Sequence, residues 1–187
     1  MANHMETYVR IKNGDINVAK KLKEIFTPID GEYEADAHLL VNRIYDNPPE
    51  DADRSWMIDK VGAKWMYSEF EYDDECEHIH LRLTSAWSVP QYFLERLAKV
   101  LSDIKEDCYI VGTYEDEGFD PIGAFLYAKD YDDIEDYDED IDYDKIWDDD
   151  TYRDELYEKN YQLQNGLEEC YIDYLKDLKD ENTETHQ

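Results

Sequence analysis

Carboxylates outnumber basic side chains by 49 to 19, and this imbalance limits what the chain can fold into more than any other feature. A formal charge of -30 over 187 residues means that every compact state crowds like charges together. The side chains that must oppose this are few: Leu, Ile, Val and Phe number 14, 14, 7 and 5. That is about a fifth of the chain, at the edge of the composition below which highly charged chains stay unfolded. Part of the chain is therefore expected to fold around a core, and part to be a solvated acidic extension. The same charge restricts partners. DNA, RNA and anionic membranes would be repelled, so neither direct nucleic-acid binding nor membrane binding is expected.

Apolar periodicity locates the folded part. Thr7, Val9 and Ile11 alternate with Tyr8 and Arg10, a strand pattern. Asp15 is placed to cap a helix whose face carries Val18, Leu22, Ile25 and Phe26, and Pro28 ends it. After an irregular stretch, in which 38–45 fits a short helix or strand, residues 64–72 and 77–84 read as a hairpin. Ser88 and Gln91 have capping-box spacing ahead of a helix striped by Phe93, Leu94, Leu97, Val100, Leu101 and Ile104. Residues 108–114 and 124–128 complete the pattern as strands. The order β-α-β-β-α-β predicts an α+β, ferredoxin-like antiparallel sheet with its helices on one face and the other face open.

Composition shifts at residue 130. Residues 1–129 carry 26 acids and 14 bases, whereas 130–187 carry 23 and 5. The expected organisation is a ferredoxin-like domain over 1–129 and an acidic, Tyr/Asp-rich segment over 130–187. That segment starts with three six-residue units at Tyr131, Tyr137 and Tyr143. Two helices then follow, 151–164 and 167–179. Leu156, Leu163, Leu167, Tyr171, Tyr174 and Leu178 form their seam, and Gly166 marks the break of a helical hairpin that can pack on the open sheet face.

Four short pieces of the first domain have counterparts in a known family. Thr84-Ser85-Ala86-Trp87-Ser88-Val89-Pro90 resembles a Thr-Ala-Trp-Ser-Pro-Pro block, and Gly62-Ala63-Lys64-Trp65, preceded by Trp56, resembles a Trp-Gly-Thr-Lys-Trp strand entry. Residues 114–119 resemble a Tyr-x-Glu-x-Gly-x-x-Phe turn, and 3–9 an opening strand. These pieces resemble the phage- and plasmid-borne family of ferredoxin-like proteins of unknown function that includes the plasmid protein YubB. The resemblance covers roughly residues 1–128. It implies the fold and a mobile-element origin, and it transfers no catalytic residue.

No enzyme signature is present: G-x-S-x-G, H-E-x-x-H, the P-loop and G-x-G-x-x-G are all missing. The chain is expected not to be an enzyme and to need no cofactor. Cys76, His78 and His80 alternate along one strand and form a weak metal candidate, since ligands at i, i+2 and i+4 converge poorly on one ion. The Asp-rich run lacks EF-hand spacing: counted from Asp136, positions 6 and 12 are Ile141 and Trp147. Trp56, Trp65 and Trp87 are expected at the core or its edge. Three scattered cysteines point to a reducing cytoplasm, that of the host if the gene is carried by a phage. Met1–Arg10 has no apolar leader, and no stretch approaches 18 apolar residues.

The acidic segment remains as the candidate binding site. Residues 130–150 hold 13 acids and one Lys. As a helix they would span ~32 Å, one net charge per ~2.6 Å. Extended, they would span ~70 Å, one per ~6 Å. Duplex DNA carries one per ~1.7 Å, so only a compact form approaches it. The expectation is a DNA mimic whose carboxylates stand in for phosphates in the basic groove of a host defence or DNA-handling protein, of the anti-restriction or anti-CRISPR type. The phosphate-like candidates are Asp132, Asp133, Glu135, Asp136, Asp138, Glu139, Asp140, Asp142, Asp144, Asp148, Asp149, Asp150, Asp154 and Glu155. Tyr131, Tyr137, Tyr143 and Trp147 are candidate aromatic anchors, or pins that hold the segment to its own domain. The competing reading is a phage structural or assembly protein, or an acidic solubility or docking strip without mimicry. Like-charge repulsion within a Debye length of ~8 Å predicts that 130–150 is the most loosely held part of the chain.

Overall fold

The computed structural model describes residues 3–29, 35–50, 52–73, 78–137 and 141–184. The chain forms a mixed α+β fold on one seven-stranded antiparallel sheet. Its elements in chain order are β1 (His4–Lys12), α1 (Ile16–Phe26), β2 (Ala35–Asp36), α2 (Ala37–Ile44) and α3 (Arg54–Val61). β3 (Met66–Asp73), β4 (His78–Ala86), α4 (Gln91–Ile104), β5 (Tyr109–Asp116) and β6 (Ile122–Tyr127) follow. β7 (Asp132–Asp136), α5 (Tyr143–Asp148) and α6 (Asp150–Glu184) close the chain.

The strands lie in the order β2-β3-β4-β1-β5-β6-β7. The sheet is thus wider than the five strands read from the sequence, and its topology does not match the ferredoxin-like expectation. β2 and β7 are the added edges. The four strands read first from periodicity occupy the middle, as β3-β4-β1-β5.

The two faces of the sheet are built differently. On the inner face α1 to α4 pack a continuous apolar core. Met5, Val9, Leu81, Leu83, Ile110 and Phe125 meet Leu22, Phe26, Leu40, Met57, Phe93 and Leu97 there. The alternation in the sequence produces this directly, since residues two apart share a sheet face. Asp15 caps α1 as its position suggests, accepting from the amides of Asn17 at 2.8 Å and Val18 at 3.0 Å. The stretch read as helix or strand resolves as helix α2, Ala37–Ile44, capped by Asp36.

The capping box expected at Ser88 does not form. α4 begins at Gln91, and the Ser88 hydroxyl instead donates to the Gly62 carbonyl at 2.6 Å. Trp87 departs from expectation as well. It has a positive φ of 67° and is 52% exposed, with Arg54 and Lys64 over its ring, whereas Trp56 and Trp65 are half-buried.

On the outer face a single helix covers half of the sheet. α6 runs unbroken through Gly166, so the expected helical hairpin is absent. Gly166 lies on the solvent side with no atom within 4 Å of where a Cβ would stand, and nothing there requires a turn. Thirty-five residues make a rod of ~52 Å. Leu167 and Tyr171 seat it on Tyr109 and Val111 of β5, Ala124 and Leu126 of β6, and Ala128 just after β6. Among the described residues, no helix lies over the other half of the outer face, on β4 and β3. Among the described residues, no helix is long and apolar enough to cross a membrane.

Candidate functional site

Within 130–150, the described residues 130–137 and 141–150 include a paired strand and a helix packed on the domain. The first Tyr-led unit supplies β7, which pairs with β6 from Asp132↔Tyr127 to Asp136↔Gly123. The expected boundary at residue 129 therefore lies within the sheet. Asp138, Glu139 and Asp140 lie outside the described residues. The third unit supplies α5. Its Ile146 is fully buried among Phe119, Ile122 and Leu156, with Tyr137, Ile141 and Tyr152 packed around it. Burying one Ile side chain contributes roughly 1.5–3 kcal/mol, enough to offset several weakly screened surface repulsions. Asp149 joins α5 to α6, accepting from the amides of Thr151 at 3.0 Å and Tyr152 at 3.2 Å. A carboxylate there also meets the favourable end of the helix dipole.

The candidate carboxylates do not form one continuous strip. Pairing places Asp132 and Asp136 opposite inner-face positions of β6, while Asp133 and Glu135 point to the side covered by α6. Asp142, Asp144, Asp148, Asp149, Asp150, Asp154 and Glu155 gather separately, on α5 and the first turns of α6. All the described candidates except Asp133 are exposed. Among them, basic side chains reach Asp142 (Lys145, 3.1 Å) and Asp150 (Arg153). The Asp142 carboxylate also holds the Lys145 ammonium above its usual pKa, through their hydrogen bond.

The aromatic candidates divide in the same way. Tyr131 is half-buried, its ring 5.1 Å from those of Tyr171 and Tyr174. Tyr137 packs around Ile146, and its hydroxyl accepts from Lys159 at 2.6 Å. These two pin the segment to its own domain. Tyr143 is exposed and donates to Asp120 at 2.8 Å, a bond that raises the phenol pKa. Trp147, 68% exposed, is the most open to solvent of these four. Of the weak metal candidates, Cys76 lies outside the described residues, the His78 side chain is not described, and His80 is exposed. Among the described residues no group of three or more His, Cys, Asp or Glu side chains is arranged to hold a metal ion.

A second feature is not anticipated by the acid count. Where α6 leaves the outer face uncovered, a cleft of about 400 Å³ opens between α6 and strands β1, β4 and β5. Its sheet side carries Tyr8, Arg10, Thr113 and Glu115, and its helix side carries Tyr157, Asn160, Tyr161 and Gln164. Asn160 and Gln164 are 3% and 2% exposed. The Asn160 amide donates to the Tyr114 carbonyl at 3.4 Å, leaving its Oδ1 with no partner; Gln164 Nε2 has none either. Glu115 stands opposite Glu6 across the β1–β5 pair. Burial, with Glu6 adding repulsion, pushes the Glu115 carboxyl up to about 7 against lowering by its hydrogen bond from Tyr157. Glu6 itself is tied to Arg82 at 2.7 Å and Thr84 at 3.0 Å.

The sequence did contain a signal for this cleft. Asn160 and Gln164 occupy stripe positions between Leu156 and Leu167, one helical turn apart. Reading the seam by its apolar members alone passes over them. No protein-family model, curated protein or solved structure matches this chain.

Proposed function

We propose that this chain is a non-enzymatic acidic binding protein, encoded by a phage or other mobile element. In this reading it mimics DNA and blocks the basic groove of a host defence or DNA-handling protein in the host cytoplasm. The observation that carries the reading is the exposed carboxylate cluster of α5 and the start of α6, fixed to the sheet by Ile146 and Leu156. Carboxylates on a rigid scaffold lose little conformational freedom when a basic groove closes on them. Trp147, exposed within that cluster, is placed to anchor the interface. The inner four strands with α1 and α4 are read as a ferredoxin-like unit of the kind the YubB resemblance implies, widened by β2, β6 and β7. Their order, β3-β4-β1-β5, supports this.

The test is capture of a basic partner from bacterial lysate on the immobilised chain, followed by competition with duplex DNA. Binding should weaken steeply with salt and be displaced by DNA. Asp144→Asn, Asp148→Asn and Asp154→Asn combined should lose it. A partner that binds duplex DNA normally while held by this chain removes the mimicry and leaves an acidic docking protein.

A further inference from the structure

A separate pocket lies toward the opposite edge of the sheet from the acidic cluster, where β2 and β3 meet the first turns of α2 and α3. Its volume is about 520 Å³, within the range of small-molecule sites. Met57 and Met66, 4% and 2% exposed, and the half-buried rings of Trp65 and Tyr67 give it an apolar wall. The two rings lie parallel, at an interplanar angle of 2° with centroids 5.7 Å apart. Methionine adapts its shape to irregular guests, and its sulfur makes favourable contacts with aromatic rings.

The charges at this pocket run against those of the chain. Arg54 and Lys64 line it, and both place their cationic groups over the Trp87 ring, 5.7 and 5.3 Å from its centroid. Neither forms an ion pair with a described carboxylate, in a chain where carboxylates outnumber bases by 49 to 19. Among the described residues lining the pocket the one carboxylate is Asp36, and it is engaged as the cap of α2, accepting from the Leu39 amide at 2.9 Å. His4, which also lines the pocket, is engaged by Glu117 at 2.9 Å.

Trp87 gathers the two cations. A bulky side chain at a φ of 67° is rare, and such a backbone persists only where its surroundings over-determine it. Here the Trp87 amide donates to the Asn3 carbonyl at 3.1 Å. The Ser85 and Ser88 hydroxyls donate to the carbonyls of Ser88 at 2.8 Å and Gly62 at 2.6 Å. With the side chain 52% exposed, burial is not what this arrangement achieves. It holds two like charges at one ring, where cation–π attraction supports them and an anion would neutralise them.

We propose that this pocket binds a small organic anion with an aromatic body. The ring system lies against Met57, Met66, Trp65 and Tyr67, and the carboxylate sits at Arg54 and Lys64. The guanidinium offers a planar fork that matches a carboxylate, and the ammonium adds a point charge. The apolar wall supplies area, and the two cations select the charge.

Calorimetric titration of the full chain with 1-naphthaleneacetate, 1-naphthaleneethanol and acetate tests this. Naphthaleneacetate should bind, while the neutral alcohol and acetate should each bind at least about tenfold more weakly. Arg54→Gln and Lys64→Gln remove neither an ion pair to a described residue nor a fully buried side chain. Each should weaken naphthaleneacetate by about tenfold or more while the far-ultraviolet circular dichroism stays unchanged. Absence of naphthaleneacetate binding at millimolar concentration would overturn the proposal. Equal binding of the alcohol overturns recognition of charge, equal binding of acetate overturns the role of the apolar wall, and undiminished binding by both variants overturns the assignment to this pocket. None of these outcomes depends on the basic-groove reading, because the acidic cluster is untouched in every arm.

Discussion

The inner and outer faces of the sheet solve the same burial problem with different residues. The inner face uses Leu, Ile, Val, Met and Phe from four helices and excludes water almost completely. The outer face, covered by the acid-rich C-terminal segment, relies on tyrosine: Tyr109, Tyr131, Tyr171 and Tyr174 meet edge-on, tilted or stacked around Leu167 and Val111. A tyrosine buries its ring while leaving its hydroxyl near water or a carboxylate. Tyr109 does so with Glu168, its hydroxyl donating at 2.9 Å. An acidic segment can therefore dock where a carboxylate that loses solvent, such as Glu168, gains a phenol and an ammonium as partners. The lesson is that high acidity does not by itself make a segment a tail. One buried Ile and a few tyrosine rings are enough to tie it down.

This comparison predicts a hierarchy of stability. Phe93→Ala, in the centre of the inner core, should destabilise by about 3–5 kcal/mol, read from the shift of a denaturant midpoint. Leu167→Ala should cost less, about 2–3 kcal/mol, and act locally. Hydrogen exchange should show α6 and β7 losing protection while β1 and β5 retain theirs. Equal loss in both regions would mean that the two faces unfold as one unit.

The next effect is pH-dependent. The folded Glu115 pKa of about 7 lies above its ordinary value of 4.5, so the folded state holds the extra proton between those values. Its favourable contribution is fully present below pH 4.5 and is lost as pH rises through 7. Tyr8, Glu6, Arg82 and Tyr157 face this group, and none of them is altered in the test. Glu115→Gln should therefore gain stability relative to the parent as pH increases from 4.5 to 7. A constant difference across that range would place Glu115 in a more solvated setting than the cleft. The smallest expected effect is a gain. Gly166→Ala, exposed in mid-helix, should raise stability by about 0.5–1 kcal/mol, whereas a hairpin turn at this residue would make the same change unfavourable.

Several misreadings share one physical origin. Ser88 has the spacing of a cap, yet its hydroxyl finds Gly62, 26 residues away in sequence. α3 left little periodic signal because only Met57 and Val61 of its eight residues are buried. Gly166 looked like a break because glycine is costly in a helix, but packing on both sides, by Leu163 and Leu167, carries the helix through it. In each case a contact distant in sequence outweighed a local preference.

The sequence by itself determined the inner strands and the helices α1 and α4, since a period of two or of three to four residues dictates which side chains share a face. It also determined where the charge lies, because charge is additive along a chain. Only the tertiary structure decided that β7 joins the sheet, that α6 is one rod, and that Asn160 and Gln164 are buried where α6 meets the sheet. Those outcomes depend on which surfaces meet, and no window of local sequence contains both surfaces.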